Sequence, residues 1–182
     1  MKYLYFVRHG LSEMNKQNQW SGHTDSPLSP EGHEQAKNAG LTAKQQGLYF
    51  DLIVTSPLQR AHHTAKHIAT HLGYPHENIM VNDLFKERHF GSLEGTNALS
   101  LLIGARYLLD ESSIDKHEGV ETLIELQKRA NKAFQYLQSL EHDTVLVVSH
   151  GAFGRALYRS AHNLPLTKRR MRYNNAEIVK FL

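Results

Sequence analysis

Short apolar runs alternate with longer stretches of helical periodicity along this chain. Residues 3–7, 51–55 and 144–149 form continuous apolar runs with many aromatic or β-branched side chains, which is typical of buried strands. A further strand is predicted at 176–182. Such runs lack the strict alternation of a strand with one wet face, so they indicate a sheet that is covered on both sides.

The stretches between these strands carry helix signals. Ser29 and Pro30 form an N-cap and first-turn pair, and Ser56 with Gln59 predicts a capping box for a second helix. The predicted helices occupy 30–47, 57–73, 123–140 and 151–161. Strands that alternate with helices predict a single α/β domain over 1–182, built as a three-layer α/β/α sandwich around a mostly parallel sheet. The weaker pattern around 95–119 is interpreted as a lid-type insertion with one or two short helices.

Composition narrows the class of protein without identifying it. The 182 residues are 40% hydrophobic and 21% charged, which is ordinary for a soluble globular protein. The absence of cysteine excludes disulfides, thiolate metal sites and cysteine nucleophiles. No apolar run is long enough to cross a membrane, and residues 1–7 lead into Arg8 without a cleavage site. We therefore expect a cytoplasmic protein that has no membrane partner.

The basic residues are concentrated near the end of the sequence. The formal net charge is +3, and the densest basic run lies at 168–172. We interpret this run as a solvated loop, with steering of an anionic substrate as the functional alternative. No nucleic-acid partner is predicted, because the run is short and contains no aromatic residue on which a base could stack.

Three predicted strands lead into charged or imidazole side chains. Arg8-His9-Gly10 follows the first strand, Arg60 lies in the first helical turn after the second, and His150-Gly151 follows the third. Because parallel strands bring their carboxyl ends to one edge of a sheet, these groups can converge although they are far apart in sequence. The helix that begins at Gly151 adds free N–H groups, which favour an anion at the same edge.

Two arginines and a histidine at one edge suggest phosphoryl chemistry. Guanidinium groups bind phosphate oxygens through paired hydrogen bonds and keep their charge at any ordinary pH. Their charge also favours the neutral form of a neighbouring histidine, whose lone pair can then attack phosphorus. We therefore predict that His9 is a nucleophile in a cationic cradle formed by Arg8 and Arg60.

Four ordered segments resemble the histidine phosphatase superfamily in its phosphoglycerate-mutase-like branch. They are Arg8-His9-Gly10 followed by Ser12 and Asn15, the segment 56–61, the segment 87–95, and Ser149-His150-Gly151. Together they span almost the whole chain, which makes the match more specific than any one segment. The resemblance implies the fold predicted above and an enzyme that transfers a phosphoryl group.

The resemblance also implies roles for the matching residues. His9 would accept the phosphoryl group, and Glu87 would donate a proton to the leaving oxygen. The groups that would bind the phosphoryl group or line its site are Arg8, Arg60, His150, Asn15, Ser21 and Gly22. No cofactor and no metal are implied, because the arginines supply the positive charge that a metal ion supplies elsewhere.

Two departures from the family pattern bear on the substrate. Leu11 and Ser12 stand where members often have glutamate and threonine, which leaves the substrate class open. Phe90 stands where phosphoglycerate mutases have a tyrosine. The insertion at 95–119 is rich in leucine, with Arg106 as its arginine, rather than rich in lysine and arginine. Phe90 and the leucine-rich insertion are both departures from the mutase pattern, and together they favour a plain phosphatase with an apolar lid.

These patterns together predict a cofactor-independent phosphomonoesterase that works through a phosphohistidine on His9 and acts on a small-molecule phosphomonoester. A phosphoglycerate-mutase-type phosphotransferase is the first alternative. The second alternative is a non-catalytic phospholigand-binding regulatory protein, although such a protein would need neither a nucleophile nor an acid. The physiological substrate and a homodimeric state both stay open at this point.

Other polar residues are interpreted as structural. His63, His67 and His71 have the i, i+4 spacing of zinc ligands on a helix. They lie opposite the apolar stripe of that helix without an accompanying carboxylate or cysteine set, so we predict a solvated polar face and no metal. Glu13 and Glu94 compete for the role of proton donor and are interpreted as loop residues.

Overall fold

Strands and helices alternate through the part of the chain that the computed structural model describes, which is residues 1–98, 114–166 and 171–182. The strands are β1 (Tyr3–Arg8), β2 (Leu52–Thr55), β3 (Met80–Val81), β4 (Thr144–Ser149) and β5 (Ile178–Lys180). The α-helices are α1 (Glu13–Lys16), α2 (Pro30–Gln45), α3 (Gln59–Leu72), α4 (Leu123–Ser139) and α5 (Gly151–Ala161). Short 3₁₀ helices lie at His76–Asn78, Asp83–Phe85 and Gly91–Leu93.

The described strands form one sheet in the order β3-β2-β4-β1-β5. The first four strands of this order pair in parallel, whereas β5 runs antiparallel to β1 at the edge. In the centre of the sheet, Arg8 at the end of β1 lies opposite Ser149 of β4, and Val148 lies opposite Thr55 of β2. The three predicted strand ends are therefore neighbours at one edge of the sheet.

Helices cover both faces of this sheet. Successive residues of β4 point to opposite sides, so Val145 and Val147 enter one buried cluster and Leu146 and Val148 enter the other. Residues of α4 and α5 complete the first cluster, and residues of α2 and α3 complete the second. This arrangement confirms the predicted three-layer α/β/α sandwich. Among the described helices, none combines the length and the apolar character needed to cross a membrane.

Helix α2 packs closely on the loop that follows β1. The Ser29 hydroxyl accepts a hydrogen bond from the Gly32 N–H, as the N-cap prediction requires. A Cβ on Gly32 would lie 2.0 Å from the carbonyl oxygen of Leu11, and a Cβ on Gly10 would lie 2.4 Å from the carbonyl oxygen of Gly32. Glycine at these two positions therefore lets the start of α2 support the turn that carries His9.

The predicted capping box at the start of α3 is wrong. The helix begins at Gln59, and the residue before it, Leu58, makes no side-chain cap. The Ser56 hydroxyl instead accepts a hydrogen bond from the Leu58 N–H at 3.3 Å and lies 2.8 Å from Nε2 of His150. The hydroxyl of Ser56 lies beside the end of β4, and its contact with His150 there takes the place of the predicted helix cap.

The predicted insertion and the basic run fall largely outside the described residues. Residues 99–113 cover most of the predicted lid, including Arg106, and residues 167–170 cover most of the basic run. The described end of the insertion is anchored to the body of the protein, because Ile114 packs with Phe90, Leu93 and Val120 in a small buried cluster.

Candidate active site

A cleft of about 690 Å³ opens at the carboxyl ends of β1 and β4. Its wall includes every predicted site residue except His150, namely Arg8, His9, Asn15, Ser21, Gly22, Arg60, Glu87 and Gly151. These residues come from separate segments of the chain, and the parallel sheet brings the segments to one edge.

His9 is placed and protonated as a nucleophile requires. Its ring nitrogen Nδ1 lies 2.7 Å from the carbonyl oxygen of Gly10, and because a carbonyl only accepts hydrogen bonds, Nδ1 carries the proton. The other ring nitrogen, Nε2, therefore keeps its lone pair. Burial lowers the pKa of His9 well below its ordinary value, and the charges of Arg60 and Arg8 lower it further. The imidazole is therefore neutral at physiological pH and can attack an electrophile.

The backbone around His9 is held from several sides. The Asn175 side chain donates a hydrogen bond to the His9 carbonyl oxygen at 2.7 Å, and the Gly10 N–H donates to the Thr64 hydroxyl at 3.0 Å. The His9 N–H donates to the carbonyl oxygen of Ser149 on β4 at 2.9 Å. Contacts from β4, from α3 and from the segment before β5 thus fix the turn.

Arg8 and Arg60 present buried cationic groups beside His9. The Nη1 and Nη2 groups of Arg60 donate to the carbonyl oxygens of Thr24 and Gly22 at 3.0 and 2.7 Å. The Nε–H groups of Arg8 and Arg60 are both buried and have no hydrogen-bond partner among the described residues. A buried donor without a partner costs free energy unless a ligand satisfies it, so this pair is suited to an anion.

Glu87 reaches the cleft from the loop after the 3₁₀ helix Asp83–Phe85. Its carboxylate accepts hydrogen bonds from the backbone N–H groups of Arg88, Ala152 and Phe153 at distances between 2.9 and 3.2 Å. Two of these donors belong to the first turn of α5, where the free N–H groups favour a negative charge. The carboxyl group is therefore fixed beside Gly151, where it can exchange a proton with a bound ligand.

The other two candidate proton donors, Glu13 and Glu94, lie outside the described wall of the cleft. Glu94 accepts hydrogen bonds from the backbone N–H groups of His23, Thr24 and Phe90 at 2.7 to 2.9 Å. Although burial acts to raise it, these hydrogen bonds and one from the Thr24 hydroxyl lower the pKa of Glu94. Glu94 is thus a structural anion that joins two loops, and Glu13 begins the short helix α1.

His150 lies behind His9 rather than in the cleft wall. The two rings meet edge to face with their centroids 5.1 Å apart. Burial, followed by the charge of Arg60, lowers the pKa of His150 well below its ordinary value. Its Nδ1 is buried without a hydrogen-bond partner in the described part of the chain, so this is the atom through which His150 can reach a ligand. That His150 binds the transferring phosphoryl group therefore stays a prediction.

Three smaller predicted groups also line the cleft. Asn15 donates a long hydrogen bond, of 3.5 Å, from its side-chain amide to the Ser21 hydroxyl, and its Oδ1 is buried without a partner among the described residues. Gly22 has a φ of +49°, which suits glycine, and it presents its carbonyl oxygen to Arg60. Gly151 begins α5 and exposes the helix N-terminus to the cleft.

Part of the cleft wall was not predicted from the sequence. Arg155 lines the cleft one helical turn after Gly151, and a Cβ on Gly151 would lie 3.6 Å from Nε of Arg8 and 3.7 Å from Nη1 of Arg155. The i, i+4 spacing from Gly151 was a usable signal for this residue. Residues 172–175 also line the cleft. Arg172 belongs to the basic run 168–172, for which steering of an anionic substrate was the functional alternative, whereas no local pattern points to residues 173–175. They reach it because the following strand, β5, pairs with β1.

Arg88, which follows Glu87 directly, points away from the cleft. Its side chain is 2% exposed, its Nε–H donates to the carbonyl oxygen of Glu121 at 2.7 Å, and its guanidinium pairs with Asp115. Arg88 is therefore engaged inside the protein and does not line the described cleft.

The histidine-rich face of α3 packs against α2, so His63, His67 and His71 are half-buried rather than fully solvated as predicted. Nδ1 of His33 on α2 lies 2.9 Å from Nε2 of His67, and the His33 and His63 rings stack with centroids 6.1 Å apart. Burial, and then the charge of His33, lowers the pKa of both His63 and His67. Within the described ranges, no group of three or more His, Asp or Glu side chains is placed to hold a metal ion.

The fold and the cleft together define a class of protein. A neutral histidine, two buried guanidinium groups and a carboxyl group share one cleft at the edge of a parallel sheet, and this set is chemically suited to phosphoryl transfer.

Comparison with known proteins agrees with that class. The profile of the histidine phosphatase superfamily (branch 1) matches residues 4–182. A 2,3-bisphosphoglycerate-dependent phosphoglycerate mutase of Brucella melitensis biotype 2 (strain ATCC 23457) is 34% identical over 170 residues, which cover 88% of this chain and 82% of that protein. The mutase of Borreliella afzelii (strain PKo) is 43% identical over 94 residues, which cover 52% of this chain but only 38% of the mutase. The chain therefore belongs to the histidine phosphatase superfamily.

Two solved structures are similar over nearly the whole chain. A mycobacterial glucosyl-3-phosphoglycerate phosphatase in complex with VO3 superposes with a TM-score of 0.85 at 25% identity and covers 99% of this chain and 92% of that one. Phosphoserine phosphatase of Entamoeba histolytica in complex with 3-phosphoglyceric acid superposes with a TM-score of 0.78 at 26% identity, covering 99% and 90%. These likenesses agree with a mostly parallel phosphoglycerate-mutase-like sheet.

Proposed function

We propose that this protein is a cofactor-independent phosphomonoesterase that forms a phosphohistidine on His9. The observation that carries the proposal is the state of His9, whose Nδ1–H is held by the Gly10 carbonyl while burial keeps the ring neutral. Nε2 is then a free nucleophile beside the guanidinium groups of Arg8 and Arg60. A phospholigand-binding module would need the two arginines but no free nucleophile, which disfavours the non-catalytic alternative.

The reaction proceeds in two half-reactions. Nε2 of His9 attacks phosphorus, and the P–O bond to the leaving group breaks as the N–P bond forms. Glu87 holds a proton at the start of the cycle and gives it to the leaving oxygen, and the N–H groups of α5 stabilise the carboxylate that this transfer leaves. Arg8 and Arg60 offset the charge on the phosphoryl oxygens. A water molecule then attacks phosphorus, its proton passes to Glu87, and the N–P bond breaks. Inorganic phosphate leaves, and both side chains return to their starting states.

The substrate we propose is a small phosphomonoester. The two solved relatives carry the names of phosphatases for glucosyl-3-phosphoglycerate and phosphoserine, which are small phosphorylated metabolites. In this chain, Trp20 and Phe90 line the cleft with ring centroids 4.6 Å apart, so an apolar group can lie beside the phosphoryl site. A cytoplasmic location stays a prediction.

A quenched turnover reaction tests the covalent intermediate. Denaturing the enzyme during steady-state hydrolysis of a phosphorus-labelled substrate should trap one labile phosphoryl group on the protein, lost in acid and stable in base. His9→Ala should carry no label and lose turnover by at least about 10⁴-fold, as removal of a nucleophile does elsewhere. Wild-type turnover in His9→Ala, or a label that survives this substitution, would contradict the mechanism.

A phosphoglycerate-mutase activity is the second candidate, because the Brucella relative carries that name. A mutase must hold the intermediate and keep water out until the phosphoryl group returns to a second hydroxyl. That task needs fixed cations for the acidic end of the substrate. Arg88 is engaged with Asp115 and Glu121 instead, so the further cationic side chains in the described wall are Arg155 and Arg172.

The two activities are separated by a direct comparison of kcat/KM. We expect phosphate release from an aryl phosphate to be clearly faster than the interconversion of 3-phosphoglycerate and its isomer in the presence of a trace of 2,3-bisphosphoglycerate. The opposite ranking would overturn the phosphatase assignment and would require a second anion site elsewhere in the cleft.

A further inference from the structure

Arg129 lies on α4, outside the cleft, and holds the loop that carries Glu87. Its Nη1 group donates to the carbonyl oxygens of Leu84 and Lys86 at 2.8 and 2.7 Å, and its Nη2 group donates to the carbonyl oxygen of Glu87 at 3.0 Å. One planar guanidinium thus binds three carbonyl groups within four residues of chain. Such a contact fixes the backbone of a loop that has no strand or α-helix of its own.

The remaining donors of Arg129 hold the guanidinium itself in place. Its Nε–H donates to Oε1 of Glu121 at 2.8 Å, and Nη2 also donates to Oε2 at 2.7 Å. Every one of the five N–H groups that an arginine carries is therefore used. The side chains of Arg129 and Glu121 are only 18% and 15% exposed, so the pair is shielded from the competition of water.

Glu87 is consequently held at both ends. Its backbone carbonyl oxygen also lies 2.8 Å from Nε2 of His23, while its carboxylate accepts the N–H groups of Ala152 and Phe153 in the first turn of α5. The carboxyl group cannot move relative to the cleft unless one of these two sets of contacts breaks. Arg129 supplies the largest share of the set on the backbone side.

We propose that Arg129 is a positioning residue for proton transfer, which fixes the Glu87 backbone so that the carboxyl group reaches the leaving oxygen. This inference rests on the role of Glu87 proposed above. A displacement of about 1 Å at a reacting group can cost about 10²-fold in rate. The loss should fall on substrates whose leaving oxygen needs a proton, because a good leaving group departs as the anion without help.

The test compares two substrates with different leaving groups. For an alkyl phosphate, whose alkoxide must be protonated, Arg129→Met should lower kcat/KM by about 10²-fold. For 4-nitrophenyl phosphate, whose phenolate leaves unprotonated, the loss should be no more than about 3-fold, and Glu87→Gln should show the same selectivity. An equal loss on both substrates in Arg129→Met would overturn the proposal.

A matched control removes packing from the same helix without touching the Glu87 loop. Tyr136, also half-buried on α4, donates from its hydroxyl to Sδ of Met80 at 3.0 Å. Tyr136→Ala should lower Tm and leave the ratio of the two kcat/KM values unchanged. If Arg129→Met matches this control, its effect is one of stability alone and the proposal fails.

Two further variants keep the result decisive. If Arg129→Met does not fold, Arg129→Lys takes its place, because lysine retains the charge but not the planar guanidinium group. Arg129→Lys should show a smaller loss of kcat/KM with the same selectivity for the alkyl phosphate. An equal loss on both substrates would count against the proposal. If Glu87→Gln is itself unselective, the acid role of Glu87 fails and this inference fails with it. Selectivity in Glu87→Gln but in neither arginine variant overturns this inference alone.

Discussion

The two halves of the cleft are positioned by different means. His9 and its arginines stand on strand ends and on the first turn of a helix, so the register of the sheet places them, with Arg8 opposite Ser149. Glu87 stands on a loop, and side chains remote in sequence place it, chiefly Arg129. We infer that changes to the first half should remove the chemistry, whereas changes to the second should alter which leaving groups are expelled.

Arg60→Ala tests the half of the cleft that contains His9, and its loss of kcat/KM should be the largest effect that separates the two halves. It removes charge-assisted hydrogen bonds to the phosphoryl group worth about 1.5–3 kcal/mol each. It also frees the carbonyl groups of Gly22 and Thr24 that Arg60 binds. We expect kcat/KM to fall by about 10² to 10⁴-fold, equally for alkyl and aryl phosphates. A loss that depended strongly on the leaving group would place Arg60 with Glu87 rather than with His9.

A chelator provides the matching control for this half. Because Arg8 and Arg60 supply the positive charge in the proposed reaction, EDTA should leave wild-type kcat/KM unchanged. A full loss that zinc restores would instead assign a catalytic metal, and the packed histidines His33, His63 and His67 would be the first residues to replace.

The same contrast explains what could be predicted from the sequence. The order of β1, β2, β4, β5 and the four long helices and the position of His9 follow from local periodicity and from the rule that parallel strands end at one edge. The two-residue strand β3 and the short helix α1 were not predicted, because elements of two and four residues are too short to show a period. The attachment of Glu87 to Arg129 joins residues 42 positions apart in sequence, and no local pattern carries that information. The capping box failed for a related reason, since the Ser56 hydroxyl is used by His150, a partner 94 positions away.

The cleft wall shows the same division. Arg155 follows Gly151 by one turn and could have been found from helical spacing, whereas Asn175 reaches His9 only because β5 folds back beside β1. The face of α3 that carries His67 was misjudged because its partner, His33, lies on another helix. Polar residues on a helix predict a solvated face only when no second helix supplies matching polar groups.

A pair of glycine variants probes the loop contacts that join the two halves, with a smaller expected effect, because the carbonyl oxygen of Gly22 accepts a hydrogen bond from Arg60. Gly22 and Gly47 both have positive φ, +49° and +66°, so alanine costs about 1 kcal/mol at either position. A Cβ on Gly22 would also lie 2.0 Å from Oε1 of Glu94, whereas a Cβ on Gly47 meets nothing within 4 Å. Glu94 in turn binds the N–H of His23, which contacts Glu87.

Denaturant unfolding and kinetics should therefore separate the two variants. Gly47→Ala should lower the free energy of unfolding by about 1 kcal/mol and leave kcat/KM unchanged. Gly22→Ala should lower it further and reduce kcat/KM by about 10-fold, because the clash must displace Glu94. Equal stability and equal activity in the two variants would show that the loop adapts and that the Glu94 contact does not help to hold the acid.

Lowering the pH should have the smallest effect of the changes proposed. It should also distinguish the two halves of the cleft, because their histidines are buried to different degrees. The pKa of His9 and of His150 is lowered well below the ordinary value of 6.5, mainly by burial. Below pH 6.5 the unfolded chain binds protons at these positions while the folded protein does not, so stability is complete above that pH and is lost progressively as the pH falls. Tm should therefore decline between pH 7 and pH 5.5. Over the same range the NMR signals of the His9 ring, assigned by comparison with His9→Asn, should stay those of a neutral imidazole.

His23, which contacts the backbone of Glu87, is less deeply buried than His9. Because its pKa is lowered less, His23 should begin to protonate before His9 does as the pH falls. If His9 titrated near pH 6.5 and before His23, its ring would be more accessible to water than that of His23. Burial could then not be the reason that His9 is neutral and nucleophilic.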